Sequence, residues 1–238
     1  RWCCRSGSPA RSVLALLQIP VYRSLLLALT ALYFVVTGVQ FWGTSYMLVA
    51  LSAPRALVNS MFVFCAGTGP TLGVFFGGWI VDRMGGYVGS AQRVVVLKLC
   101  VCMGLTGCIC ATLAVFATTF STFIVCLWLL LFSGASLLPA CTGILVSVVP
   151  RKYRPISSSL SIMTFNIFGY SLSLFLSGYL MQAMGFYWPE CDYVCTRKFG
   201  FRVVLLWSYW SMLFLSCGLW GAIRLEKKIR ASNRLRFS

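Results

Sequence analysis

The sequence predicts an all-α integral membrane protein with six transmembrane helices. Of its 238 residues, 59% are apolar and only 10% charged, and the mean hydropathy is +0.86. The charges are lopsided, with 20 Lys or Arg against 4 Asp or Glu and no His. The uncharged residues fall into runs long enough to cross a bilayer, whose hydrocarbon core takes about 20 apolar residues per helix. A soluble domain is about a quarter charged, so an ordinary soluble fold is excluded. A disordered chain, which would be polar and charged, is excluded as well.

Residues 13–22 come first and are too few to cross; they read as a helix or linker at the interface. No cleavage site follows them and further spans do, so they are not a secretory signal. The first span lies within Ser24 to Pro54 and the second within Ala56 to Val81. Leu99 to Pro150 is uncharged for 52 residues, enough for two spans. The polar, β-branched Ala117 to Ser121 segment is their expected turn. A fifth span runs from about Ile156 to Met184 and a sixth from about Val203 to Ile223. The chain thus divides into an interfacial segment (1–23), six spans (24–224) and a basic tail (225–238). It begins at Arg1 rather than Met, and is expected to be a partial sequence.

Basic residues fix the orientation. Arg1, Arg5, Arg11, Arg23, Arg83, Arg93, Lys98, Arg151, Lys152 and Arg154 fall on one side of the spans. The six cations from Arg224 to Arg236 join them, making 16. Only Arg55, Arg197, Lys198 and Arg202 fall on the other side, making 4. The positive-inside rule therefore predicts a multi-pass protein with both termini in the cytoplasm. This distribution also argues against nucleic acid as a partner, since phosphate binding needs cations converging on one face. Membrane lipid is the expected neighbour. The cluster Lys227, Lys228 and Arg230 can attract anionic lipid, or serve simply as a topological anchor.

The same inventory restricts chemistry. Without His there is no imidazole base, no Ser-His or Cys-His pair and no His-bearing metal site. Asp82, Glu190, Asp192 and Glu226 are the only acids, and none falls inside a long apolar run. Neither an enzyme nor a cofactor or metal site is expected. Eight of the twelve cysteines lie in spans, where Cys packs as a small apolar residue. Cys191 and Cys195, in the loop expected outside, form a disulfide or remain free thiols according to compartment and local turn. Cys3 and Cys4, beside basic residues, are candidates for palmitoylation.

Polar residues inside spans face protein or a water-filled cavity. In the first span Tyr33, Thr37, Gln40 and Thr44 recur at helical spacing, and Gln40 is the bulkiest of the uncharged polar groups near mid-span. In the fifth, Asn166, Tyr170, Ser173 and Ser177 form a second stripe. Thr37, Gln40, Thr44, Asn166 and Tyr170 are candidates to line a substrate cavity; hydrogen bonding between helices is the alternative. Phe41, Trp42, Phe165 and Phe168 can furnish an apolar wall or plain packing. In the second span Gly69, Gly73 and Gly77 recur every four residues, spacing that lets two helices approach closely in lipid. Pro70 frees a carbonyl there and can bend the helix.

Between the second and third spans, Gly78-x-x-x-Asp82-Arg83-x-Gly85 occupies a short loop. Asp82 stands at the membrane edge, where a carboxylate can meet the positive end of a helix dipole. Arg83 can pair with Asp82 or with an acid from another helix, and Gly85-Gly86 permits a tight turn. Gly78, Asp82, Arg83 and Gly85 then form a latch holding the cytoplasmic face closed; the alternative is an ordinary surface ion pair, worth little.

This loop, at this place in a six-span layout, resembles the signature loop of the major facilitator superfamily. The likeness is incomplete at its end, where Gly86-Tyr87 stands in place of the family's basic residues. Val36-Thr37-Gly38 with Trp42, the Gly-rich Thr68 to Gly78, and Pro150-x-x-x-Arg154 with Ser157-Ser158-Ser159 resemble the spinster-like branch. The resemblance covers about residues 24–224. It implies that the chain is one half, the second, of a twelve-helix major facilitator fold whose N-terminal six-helix half is missing here. It further implies that the first, second, fourth and fifth spans line or gate the cavity, and that a small organic or lipid-like substrate moves by alternating access. The other reading is a non-transporting multi-pass protein, receptor-like or a truncated scaffold.

Overall fold

The computed structural model describes residues 9–86, 89–187 and 193–237. Among these every regular element is helical. A short helix α1 (Pro9–Leu17) precedes four long ones, α2 (Pro20–Ala50), α3 (Arg55–Arg83), α4 (Ser90–Phe116) and α5 (Phe120–Val148). A 3-10 turn (Arg151–Tyr153) leads into α6 (Arg154–Thr164), a π-helical stretch (Phe165–Ser171) and α7 (Leu172–Tyr187), which together make one rod. Helices α8 (Tyr193–Leu206) and α9 (Ser208–Phe237) make the last. Six of these segments are long and apolar enough to cross a membrane. Among the described residues the chain is thus all-helical, with six apolar helices of the length a multi-pass membrane protein needs.

Local chemistry sets the ends. Pro20 opens α2 at a position where a missing N–H costs nothing. The turn between α4 and α5 falls at Ala117 to Thr119, inside the expected segment, and the Thr119 hydroxyl accepts the Thr122 N–H at 3.4 Å to cap α5. Several boundaries differ from the sequence reading. The first membrane helix begins at Pro20, the third at Ser90 and the last span at Tyr193, and α9 runs on to Phe237, so Arg23, Arg93, Lys98, Arg197, Lys198 and Arg202 ride on helices rather than loops. Uncharged runs understate helix length because long cationic side chains can reach past the apolar zone. The interfacial segment is the helix α1, whose Leu16 is buried against the bundle while Leu14 is exposed.

Helices α2 and α5 form the centre, with 61% and 56% of their most apolar windows buried, against 22% for α3 and 17% for the fifth span. Helix α5 packs on α3 and α4, and α2 packs on the fifth and sixth spans. Spans three and six meet, and α2 meets α5. Exchanging the first three spans for the last three maps these neighbour relations onto one another. The contact of α7 with α8 has no counterpart of like extent between α3 and α4.

The two peripheral spans attach by the same device. In α3 the buried residues include Gly69, Gly73 and Gly77. A Cβ on Gly73 would clash with the Phe132 carbonyl oxygen and one on Gly77 with that of Ser136, so α3 lies backbone to backbone on α5. In the fifth span Ser157, Ser161, Gly169, Ser173 and Ser177 are the buried positions facing α2. A Cβ on Gly169 would stand 2.9 Å from the Tyr33 Cβ. The hydroxyls are satisfied as they pack. Ser157 donates to the Tyr22 hydroxyl at 3.2 Å and Ser173 donates to the Phe34 carbonyl at 2.7 Å.

Those buried positions recur at intervals of four or eight residues, whereas an α-helix turns every 3.6 residues. Such a stripe drifts by about 40° per repeat on an ideal α-helix. The π stretch, whose turns take more residues, absorbs part of the drift and keeps both serine pairs against α2.

Candidate functional site

The loop after α3 is built by its glycines. Gly85 and Gly86 have φ of +87° and +72°, a region that strains residues with a Cβ. The Gly86 N–H donates to the Val81 carbonyl at 2.9 Å and the Gly85 N–H to the Asp82 carbonyl at 3.2 Å. This pair of bonds ends the helix in a Schellman turn. Gly78, by contrast, has open space at its Cβ position.

Arg83 does not pair with Asp82. Its guanidinium lies 4.5 Å from the Trp79 ring centroid, one helical turn back, where the ring face attracts the cation. The Asp82 carboxylate is exposed and forms no hydrogen bond or ion pair among the described residues. At the same end of the bundle Arg93 donates to the Ser147 carbonyl at 3.3 Å, tying the start of α4 to the end of α5. A cation suits the negative end of the α5 dipole, and this tie was not read from the sequence.

The two polar stripes meet at one point. Tyr33 of α2 packs in tilted ring contact with Phe165 and Tyr170 of the π stretch, with centroids 4.9 and 5.3 Å away. Gln40 is exposed and Thr44 half-buried on the same uncovered side of α2, and Gln40 makes no hydrogen bond among the described residues. Thr37 turns inward instead: it is buried, and its hydroxyl donates to the Tyr33 carbonyl at 2.9 Å. Asn166 and Tyr170 are exposed, and the Asn166 amide donates to Ile162 of its own helix at 2.9 Å.

Ser173 and Ser177 leave the stripe they were expected to share with Asn166 and Tyr170. Both are buried against neighbouring helices, because the π stretch rotates the residues after it. Ser177 accepts a 2.7 Å hydrogen bond from the Trp42 indole, which is itself covered by Arg197 at 4.8 Å. Trp42 is thus a linker between spans rather than cavity wall. Phe165 packs on Tyr33, while Phe41 and Phe168 are exposed. The signal that could have located the π stretch was the recurrence of small residues at intervals of four or eight from Ser157 to Ser177.

Among the cysteines, Cys100, Cys108, Cys110, Cys126, Cys141 and Cys65 are buried free thiols, while Cys102 and Cys217 are exposed. Cys195 is disulfide-bonded. Cys191, Cys3 and Cys4 lie outside the described residues.

What the arrangement presents is an uncovered side of α2, flanked by the lightly buried α3 and fifth span, carrying Tyr33, Gln40, Thr44, Asn166 and Tyr170. These are neutral hydrogen-bonding and aromatic groups. The chain matches no family model and no curated protein.

Proposed function

We propose that this chain is the second six-helix half of a secondary transporter of the major facilitator type, closest in character to the spinster-like branch. It moves a small organic or amphipathic lipid-like solute by alternating access. The observation that carries the reading is the exchange relation in the packing. Spans one to three and four to six correspond in the main helix contacts, and alternation of direction runs the two triplets in opposite senses, as inverted repeats would. Inverted three-helix repeats are the building unit of each half in this class of transporter.

The uncovered faces support it further. The second and fifth spans are the least buried, as they would be if another six helices closed over them. Gln40, Asn166 and Tyr170 then face the cavity between halves, and a π-helical stretch beside them is a feature common at functional sites. With no carboxylate or imidazole deep in the described spans, the titrating group of any proton coupling belongs to the other half. The Asp82 carboxylate, unpartnered here, is available to a partner on that half, with the basic end cytoplasmic.

The test is uptake by the full-length protein in proteoliposomes, comparing lysolipids and sphingoid lipids with polar metabolites. Gln40→Ala and Asn166→Ala should each lower uptake of the true substrate by roughly tenfold, the worth of one to two hydrogen bonds. Uptake no greater than in empty liposomes favours the non-transporting reading. Unchanged uptake in both variants removes these residues from the cavity.

A further inference from the structure

At the basic end, between the start of α2 and α9, lies a cavity of about 690 Å³. Among the described residues its lining contains three cations, Arg23, Arg224 and Lys227, and no acid. Trp220 completes it, with the Arg224 guanidinium 3.4 Å from the centroid of its ring. Gly221 lies in the lining, where the α9 backbone comes close to α2: a Cβ on Gly221 would be in van der Waals contact with Val21 at 3.6 Å.

We propose that this groove binds the headgroup of an anionic phospholipid from the adjoining leaflet. Three positive side chains around one concavity favour a negative occupant. Guanidinium groups match phosphate oxygens in pairs, and Lys adds a point charge. The cavity also sits at the first turn of α2, whose dipole end is positive. Stacking on Trp220 holds Arg224 ready, so less freedom is lost on binding.

The apolar rim selects the lipid as the source. Trp220 is 58% exposed and Leu225 44%, and Cys217 is exposed beside them. A free phosphate ion gains nothing from such a rim, whereas acyl chains would lie along it. Basic grooves between membrane helices at this level are suited to anionic headgroups. The inference needs only that the helices lie in a bilayer, and stands apart from whether the protein transports a solute.

Trp220 reports the site directly. In bilayers containing brominated phosphatidylserine or brominated phosphatidylcholine, the Trp220 share of fluorescence is isolated by difference from Trp220→Phe. Half-maximal quenching by phosphatidylserine should come at a mole fraction at least about fivefold lower, the preference that a single surface cation gives an anionic lipid. The variant R23Q/R224Q/K227Q should equalise the two lipids. The variant R151Q/K152Q/R154Q, which removes equal charge from the same end outside the groove, should keep the preference. Equal quenching by both lipids in the native protein overturns the proposal. So does a preference that survives R23Q/R224Q/K227Q, or one lost equally in R151Q/K152Q/R154Q. Loss of the preference on adding inorganic phosphate at constant ionic strength would assign the groove to soluble phosphates instead.

Discussion

Gly77 of α3 lies so close to the Ser136 carbonyl of α5 that a Cβ on Gly77 would clash with that oxygen. The two helices cannot separate by a methyl group without losing Gly73 against Phe132 as well. Gly77→Ala should therefore destabilise the bundle by about 1–3 kcal/mol, the usual cost of overpacking. Gly78→Ala, one residue on and with nothing near it, should be neutral or stabilise by up to about 1 kcal/mol. Thermal unfolding in detergent distinguishes them. Equal melting temperatures would mean that the close packing is not present in the folded protein.

The acid in the neighbouring loop makes a different prediction. Because the Asp82 carboxylate has no partner among the described residues, Asp82→Asn should leave the melting temperature unchanged. If it latches onto the other half of a transporter, the same substitution should slow turnover by about tenfold or more, since a hydrogen bond to a charged group is worth roughly 1.5–3 kcal/mol. Apparent substrate affinity should move much less. Initial-rate uptake against concentration reads both quantities, and wild-type kinetics would remove the latch.

The span layout was legible because charge is scarce: each uncharged run is a helix, and the one 52-residue run breaks at its only polar, β-branched segment. Gly69, Gly73 and Gly77 announced a close helix approach, and Gly85-Gly86 a turn, since few residues substitute for glycine in either role. The rotations were harder to read. Ser173 and Ser177 align with Asn166 only on an ideal α-helix, and the π stretch removes that alignment. Charged pairs misled too. Adjacent Asp82 and Arg83 invite pairing on paper, yet neighbours in a helix point about 100° apart, and Arg83 reaches the ring of Trp79 instead.

The π stretch can be tested by shortening it. Phe168 is exposed and lies within it. Deleting Phe168 should turn the stretch into ordinary α-helix while leaving Ser157, Ser161, Ser173 and Ser177 against α2, because their mean spacing then falls nearer 3.6. The melting temperature should change by no more than a few degrees, as for a loss of about 1 kcal/mol. Tyr170 would rotate away from Tyr33, and uptake should fall by about tenfold or more, an allowance of about 1.4 kcal/mol. A variant that fails to fold would show that the extra residue serves packing alone.

The central claim is that the uncovered side of α2 and the fifth span faces water between two halves rather than lipid. It is tested most directly by labelling the full-length protein in intact bilayers with a charged, membrane-impermeant methanethiosulfonate, read site by site by mass spectrometry. Such reagents need a hydrated thiolate. Gln40→Cys and Asn166→Cys should label, while exposed Cys102 of α4 and Leu113→Cys, on the apolar outer face of the same helix, should not. Protection of Gln40→Cys and Asn166→Cys to the same degree as Leu113→Cys would place that side in lipid and contradict the account.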